Sequence, residues 1–562
     1  MFQKPSEIDL KVATIRRDGE ERMALKRAEG LGLPYLDLRK AAVSMEAIKS
    51  ISKEEAEGGI LLPVQRKDKE VALACFDPRL PEAKKVLERL SANKLAVQIF
   101  ISSESGIREN FRFYEFIPGP TEEITGSIEV SLERMNKYQE DFPTFEKIHQ
   151  SFSSLDYAHT PTTDLFQMII GASVVARASD IHLESIEGGM RLRYRVDGIL
   201  HDVAEKMPPG PCGHLMTRLK LLSELKLNVR DEAQDGRFTI RMAEKDVEVR
   251  VSIIPSEYGE TAVLRILDPS AIMVTMPQLG LREDDLKLVE SELAKPNGLI
   301  LNTGPTGSGK TTTLYAFLRH THSPEVKIIT VEDPIEYHLE GIQQTQVEPD
   351  SGYTFASGLR SILRQDPDVI LVGEIRDAET ADIALQAALT GHIVFSTLHT
   401  NDAVGAVPRL VDLGVKNSTI APALSLVIAQ RLVRKLCKDC RVQSAMPEDI
   451  KLKFQSFLET LPARVDRKPY EEVLQKGLWW EKKGCSVCNG FGYKGRVGVF
   501  EFFKKDDNLE ESIMKDPSPL SLRKIAASQG MVSMQQDGLL KVILGETTLE
   551  EVEGATGPAF PK

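Results

Sequence analysis

Gly304-Pro305-Thr306-Gly307-Ser308-Gly309-Lys310-Thr311 decides the reading of this 562-residue chain. The stretch matches the phosphate-binding pattern G-x-x-x-x-G-K-[ST] at every fixed position. Leu299-Ile300-Leu301 before it reads as a short buried strand, and Thr312-Thr313-Leu314-Tyr315-Ala316-Phe317-Leu318 after it reads as a helix. That context is what the chemistry needs. Glycines let backbone N–H groups turn inward around phosphate oxygens, and the helix N-terminus adds partial positive charge. Lys310 is placed to reach β- and γ-phosphates, and Thr311 to offer its hydroxyl to Mg²⁺. The expected nucleotide cradle is Gly304, Pro305, Thr306, Gly307, Ser308, Gly309, Lys310, Thr311 and Thr312.

Working outward, three more short apolar runs follow: Lys327-Ile328-Ile329-Thr330-Val331, Val369-Ile370-Leu371-Val372 and Ile393-Val394-Phe395-Ser396-Thr397. Near-continuous apolar runs of this length read as parallel strands buried on both faces. In open α/β sheets ligands sit at the carboxyl ends of such strands. Thr330-Val331 is followed by Glu332, Asp333 and Glu336, and Val372 by Gly373-Glu374. Carboxylates crowded near a triphosphate repel it unless a cation is present, so they fit a Mg²⁺ and water site. The bland alternative makes some of them solvated loop acids. His392 precedes the third run and His399 follows it. A histidine at the strand tip can sense γ-phosphate through a ring N–H, and the alternative is a histidine with a local partner. Arg360 and Arg364 are four apart, on one face of an expected helix, which also suits a solvated basic face.

The remaining chain divides by composition. Residues 1–118 mix helix and strand patterns in a small α/β module. Residues 119–150, with Pro118 at their edge, Pro120 within them and acidic clusters, read as a linker. Residues 151–270 form a second small α/β domain, in which Arg191-Leu192-Arg193-Tyr194-Arg195-Val196 and Val247-Glu248-Val249-Arg250-Val251 alternate as strands do. Residues 271–562 carry the βαβα rhythm of a nucleotide-binding sheet. A net charge of −12 is a poor footprint for a nucleic-acid binder. Met1-Phe2-Gln3-Lys4-Pro5-Ser6-Glu7 lacks the pattern of a signal peptide, and no segment approaches 18 uninterrupted apolar residues, so no membrane span is expected.

There are six cysteines, four of them in Cys437-Lys438-Asp439-Cys440 and Cys485-Ser486-Val487-Cys488. Two C-x-x-C knuckles supply four thiolates for tetrahedral Zn²⁺, and a site with no open position is structural. A redox dithiol and chance pairing are the alternatives.

Together these residues resemble the secretion-motor ATPases of type II secretion and type IV pilus assembly (the GspE/PilB family). The resemblance covers roughly residues 150–550. Residues 304–311 correspond to the Walker A loop. Thr330-Val331-Glu332-Asp333-Pro334-Ile335-Glu336-Tyr337 resembles the family's Asp box, Ile370-Leu371-Val372-Gly373-Glu374-Ile375-Arg376-Asp377 its unusual Walker B, and Gly391-His392-Ile393-Val394-Phe395-Ser396-Thr397-Leu398-His399-Thr400 its His box. Gln234-Asp235-Gly236-Arg237 and Arg250-Val251-Ser252 match its middle domain. The resemblance implies a RecA-like P-loop ATPase domain, a preceding PAS-like α/β domain and a small α/β N-terminal domain. It implies ATP, Mg²⁺ and Zn²⁺, with a zinc insertion at about 430–500. By the same resemblance Glu336 orients or activates the attacking water, Glu374 acts at Mg²⁺ with Thr311, and His399 senses the γ-phosphate. Arg237 and Arg250 reach the nucleotide from the smaller domain, with Arg360 and Arg364 near the same interface.

The family picture adds a cytoplasmic homo-hexamer driving an inner-membrane platform protein (PilC/GspF-like), touching the membrane only through partners. The tetracysteine motif is typical of its assembly and secretion branch, and the retraction motors lack it. Some members bind cyclic di-GMP through an Arg-Leu-Gly motif, and none occurs near the start of this chain. The N-terminal domain is therefore expected to dock on a membrane-anchored adaptor. A ring motor translocating nucleic acid and a nucleotide-binding scaffold without turnover are the competing readings. The acidity and the full carboxylate and arginine set argue against them.

Overall fold

The computed structural model describes residues 7–41, 43–67, 69–116, 126–243, 245–269 and 273–560, with side chains omitted at 7–15, 45, 46, 115 and 116. The signal-peptide reading of Met1 to Ser6, Pro118 and Pro120 of the expected linker, and the 270/271 boundary lie outside the described residues. The described residues fall into two compact units, one over 1–142 and 147–266 and the other over 143–146 and 267–562.

The first unit opens with a long helix, Glu7–Leu31, and a three-stranded sheet of β1 (Leu61–Lys67), β2 (Glu70–Cys75) and β3 (Ala96–Ile101). A seven-stranded sheet follows in the order β4-β8-β9-β10-β5-β6-β7. Its strands are β4 (Ser127–Val130), β5 (Ala178–Ile186), β6 (Gly189–Val196), β7 (Ile199–Met207), β8 (Gln234–Met242), β9 (Asp246–Ser256) and β10 (Gly259–Leu267). In β6 every second residue is buried, as the sequence alternation requires of a strand with one face on a core. Tyr194 of β6 is fully buried and donates its hydroxyl to Ile169 O at 2.6 Å, tying the sheet to the helix Thr162–Val175.

The structure differs from the expected partition in two ways. The expected linker contributes β4, which pairs parallel with β8. The two small α/β domains also share an apolar cluster, in which Leu38 and Phe111 pack with Leu221 and Leu227. Asn228 Nδ2 donates to Leu38 O at 2.7 Å, and Val43 N donates to Asn228 Oδ1 at 3.2 Å.

The second unit is built on a sheet in the order β13-β12-β14-β15-β11-β16-β19. The strands are β11 (Gly298–Thr303), β12 (Ile328–Glu332), β13 (Gln343–Gln346), β14 (Val369–Val372), β15 (Ile393–Leu398), β16 (Leu424–Leu436), β17 (Val442–Ala445), β18 (Leu478–Glu481) and β19 (Tyr493–Lys504). All pairs from β13 to β16 are parallel, and only β19 runs antiparallel, against β16. β11, β12, β14 and β15 are buried along their whole length. The strand period of two divides their side chains between two cores. Leu299, Leu301, Ile370, Val372 and Val394 enter one, while Ile300, Val369, Leu371, Ile393 and Phe395 enter the other. Apolar layers on both faces of a parallel sheet make the three-layer arrangement that the runs led us to expect, in keeping with the RecA-like domain that the resemblance implies.

The segment expected to carry a zinc insertion leaves this sheet at the end of β16 and returns at β19. Cys437 N donates to Gly492 O at 2.9 Å across its base. Between them β17 and β18 pair antiparallel, and the helices Glu448–Thr460 and Lys468–Lys476 enclose a core of Phe454, Leu458, Leu461, Tyr470 and Leu474.

Candidate active site

The loop 304–309 bridges β11 and the helix Lys310–Thr321. Gly304 and Gly309 have φ of +148° and +88°, backbone that a side chain strains. Space also excludes one: a Cβ on Gly304 would lie 2.5 Å from Gln430 O, and one on Gly309 2.9 Å from Gln430 Nε2. Gln430, on β16 and 2% exposed, is the floor of the loop. Its Oε1 accepts from Asn302 Nδ2 at 3.1 Å and from Thr313 Oγ1 at 2.8 Å, joining β11, β16 and the helix under the loop.

Lys310 Nζ donates to Gly304 O at 2.8 Å and Pro305 O at 3.1 Å. Burial lowers its pKa, and the Glu374 charge works against that shift. Buried Ser308 Oγ has no hydrogen-bond partner. A buried orphan hydroxyl among inward-turned glycines fits a cradle for phosphate oxygens. The Thr311 hydroxyl and the nearby carboxylates are the oxygen donors that Mg²⁺ takes.

Glu374 follows β14 and His399 follows β15, the adjacent strand. His399 Nε2 lies 3.2 Å from Glu374 Oε2, and the other Glu374 oxygen pairs with Arg376. Arg376 also lies 3.6 Å from Asp333 Oδ2. The His399 segment is clipped to β11: Thr400 N donates to Thr303 Oγ1 at 2.8 Å, and Thr303 Oγ1 donates to Leu398 O at 3.1 Å. His392 is elsewhere; its Nδ1 lies 3.0 Å from Ala387 O and serves the end of the preceding helix. Of the two histidines, the structure thus brings one to the site.

The three carboxylates after β12 separate in the same way. Glu332 is buried, and its carboxyl accepts hydrogen bonds from Tyr315, Thr330 and Gln344. That corrects its grouping with a cation and water site. Asp333 is exposed, and Glu336 is half-buried with no hydrogen bond or ion pair among the described residues. Tyr315 is held protonated, its pKa pushed far up by burial first, then by Glu332 and, more weakly, by Glu336.

Arg237 and Arg250 belong to the first unit and form a direct cross-strand pair on β8 and β9. Arg360 pairs with Glu379 at 2.5 Å, and Arg364 Nη1 donates to Arg360 O at 3.0 Å.

The Sγ atoms of Cys437, Cys440, Cys485 and Cys488 lie within 4.8 Å of one another. Cys437 and Cys485 are 4.0 Å apart, and Cys440 and Cys488 3.8 Å. A tetrahedron with Zn–S of about 2.3 Å has edges of about 3.8 Å, so the set fits the ion. Gly484 N donates to Cys440 Sγ at 3.3 Å and Gly492 N to Cys488 Sγ at 3.2 Å, as thiolates require of their surroundings.

Sequence reading gave no role to Gln430, Gln344, Tyr315 or Arg376. Arg376 carried a local signal, since it lies within the Walker B-like stretch two residues after Glu374.

Residues 157–554 match the family model described as type II/IV secretion system protein, and residues 31–114 match the MshEN domain. The chain is 37% identical over 530 residues to the type IV pilus assembly ATPase PilB of Myxococcus xanthus, covering 94% of this chain and 89% of that protein. It is 36% identical over 542 residues to the type II secretion system protein E of Xanthomonas campestris, covering 95% and 90%. The Legionella pneumophila ATPase DotB matches with a TM-score of 0.50 at 22% identity, over 69% of this chain and 94% of that one, a likeness of fold.

Proposed function

Because the chain belongs to the type II/IV secretion system protein family, we propose that it is a motor ATPase powering assembly of a type IV pilus or of a type II secretion pseudopilus. The observation that carries the reading is the convergence of Lys310, Glu374 and His399 at the carboxyl ends of β11, β14 and β15, with Glu336 on the segment after β12. Those ends border one another in the sheet.

In this reading the backbone of 304–309 and Lys310 bind the β- and γ-phosphates, with Thr312 part of the same cradle. Thr311, and Glu374 through water, would hold Mg²⁺, which would supply neutralisation of the charge on the transferring phosphoryl group. Glu336 orients the attacking water and takes a proton from it. The water oxygen bonds to the γ-phosphorus as the bond to the bridging oxygen breaks, giving ADP and phosphate. His399, held by Glu374, senses whether the γ-phosphate is present. Arg237 and Arg250 complete the charge stabilisation, which links turnover to closure of the smaller domain on the ATPase domain.

The functional domains we assign are 1–118 for docking, 151–270 as the smaller lobe and 271–562 for catalysis. The four cysteines hold a structural Zn²⁺. The chain works as a cytoplasmic homo-hexamer that drives an inner-membrane platform protein, with a membrane-anchored adaptor docked on the N-terminal domain. No helix among the described residues is long and apolar enough to cross a membrane.

The test is phosphate release by the purified chain with Mg-ATP, beside Lys310→Ala and Glu336→Gln variants. Release that survives both substitutions unchanged overturns the site. Stimulation by the platform protein's cytoplasmic domain, and not by DNA, is the expected partner response.

A further inference from the structure

Tyr315, Glu332 and Gln344 form a hydrogen-bonded cluster that the chemistry above does not use. Glu332 is 4% exposed and Tyr315 0%. Tyr315 donates to Glu332 Oε2, Thr330 Oγ1 donates to Oε1 at 2.5 Å, and Gln344 Nε2 donates to Oε1 at 3.0 Å. Gln344 also reaches the loop after β12: its Nε2 donates to Tyr337 O at 3.0 Å, and its Oε1 accepts from Leu339 N at 2.7 Å. On the other side of Glu336, Ile335 N donates to Gln346 Oε1 at 3.3 Å.

The cluster joins two pieces of the site. Tyr315 stands on the helix that begins at Lys310, one turn beyond Thr311. Glu332 ends β12, and the segment leaving it carries Glu336 between two anchored neighbours, Ile335 and Tyr337. The Lys310 helix fixes where phosphates lie, and the 333–339 segment fixes where Glu336 lies. Their relative placement therefore runs through Tyr315, Glu332 and Gln344.

We infer that Tyr315, Glu332 and Gln344 are positioning residues for hydrolysis, holding Glu336 at a set distance from the phosphates bound by Lys310 and Thr311. The inference rests on the reading of Glu336 as the water-orienting base. Misplacing a reacting group by about 1 Å can cost about 10²-fold in rate, while ground-state binding through the loop amides is untouched. The cluster therefore acts on kcat and not on nucleotide affinity. A cluster that merely satisfied its own buried polar atoms would affect folding stability and leave both kinetic parameters in place.

The experiment compares the full chain with Tyr315→Phe, which removes only a hydroxyl, and with Gln344→Ala, which alters a half-buried strand residue and spares the core. The readouts are kcat and KM for Mg-ATP, the affinity for a fluorescent ADP analogue, and the melting temperature. The expected result is a kcat lower by about tenfold or more in each variant, with KM and ADP affinity within about twofold. The double variant should be little worse than the worse single one, because groups that act as a unit are not additive. Should Tyr315→Phe fail to fold, Gln344→Ala decides alone. A kcat within twofold of the parent, or a loss that appears in KM and ADP affinity, overturns the inference. Glu336→Gln separates the two levels. If it is inactive while both cluster variants turn over normally, the cluster is structural and the proposed function stands. If it is fully active, both fall.

Discussion

Arg237 on β8 faces Arg250 directly across the strand pair, so two guanidinium groups project from the same face of the sheet. Like charges directly opposite each other destabilise a sheet by about 0.2–1 kcal/mol. Arg250 Nε lies 3.9 Å from Glu248, its neighbour two residues back on that face. A like-charge pair kept at that cost suits a use outside the sheet. We expect Arg237→Ala and Arg250→Ala each to lower ATP turnover by about 10²-fold or more, the scale of an arginine acting on a transferring phosphoryl group. Their melting temperatures should equal or exceed the parent's. Thermal melts and phosphate release measured on the same preparations check both halves. Turnover that follows the melting temperature downward would make the pair structural.

Gln430 gives the second expectation. Its Oε1 is the acceptor for both Asn302 Nδ2 and Thr313 Oγ1, and its Nε2 is packed against Gly309. Gln430→Leu keeps the approximate volume and strands two buried donors, each worth about 1–3 kcal/mol. The variant should be destabilised by about 2–6 kcal/mol in urea unfolding. Because the floor of the phosphate loop loosens, KM for Mg-ATP should rise more than kcat falls, opposite to the pattern expected for Tyr315→Phe.

The contrast between these residues shows what a string of letters holds. Residues 304–311 and the four cysteines stood out because their chemistry dictates a short, fixed spacing, whereas Glu336, Glu374 and His399 stood out only as polar residues just past buried strands, their roles coming from the family resemblance. The parallel sheet was legible because burial on both faces makes β11, β14 and β15 continuously apolar. Gln430 is 128 residues from Asn302 and meets it only because β16 pairs with β11. Gln344 reads as an ordinary polar residue until β13 brings it beside Glu332. β4 was hidden for the same reason: four residues, Ser127–Val130, gain a strand partner in β8 more than a hundred residues onward.

Metal content is the third expectation. The purified chain should carry about one zinc per protomer by elemental analysis, and Cys437→Ser or Cys485→Ser should lose it. The Cys437–Cys485 contact closes a loop of 48 residues. By the loop-closure scaling for a covalent crosslink, holding it shut stabilises the fold by about 4 kcal/mol. Chelation should therefore expose the helices Glu448–Thr460 and Lys468–Lys476 to protease before the rest of the ATPase domain. Retention of zinc after removal of one thiol from each knuckle would count against a four-thiolate site.

The last expectation concerns acid. Glu551, on the helix Leu549–Thr556, accepts from Arg434 Nη2 at 2.6 Å and from Arg434 N at 3.1 Å on β16. Burial raises the carboxyl's pKa, but the Arg434 side-chain and amide hydrogen bonds together outweigh it and hold the group below its ordinary value. A carboxylate depressed in the folded state binds fewer protons there than in the unfolded chain between the two values. Its stabilisation is present in full above the unfolded value of about 4.3 and is lost as pH falls through the lower folded value. Glu551→Gln should therefore be less stable than the parent at pH 7, by about 1–3 kcal/mol for a hydrogen bond to a charged group. The gap should close as pH falls below about 4. Urea unfolding of both proteins across pH 3–7 reads this directly, and hydrogen exchange at 549–556 locates it. A gap that stays constant through that range would mean that the loss comes from packing and not from the charge.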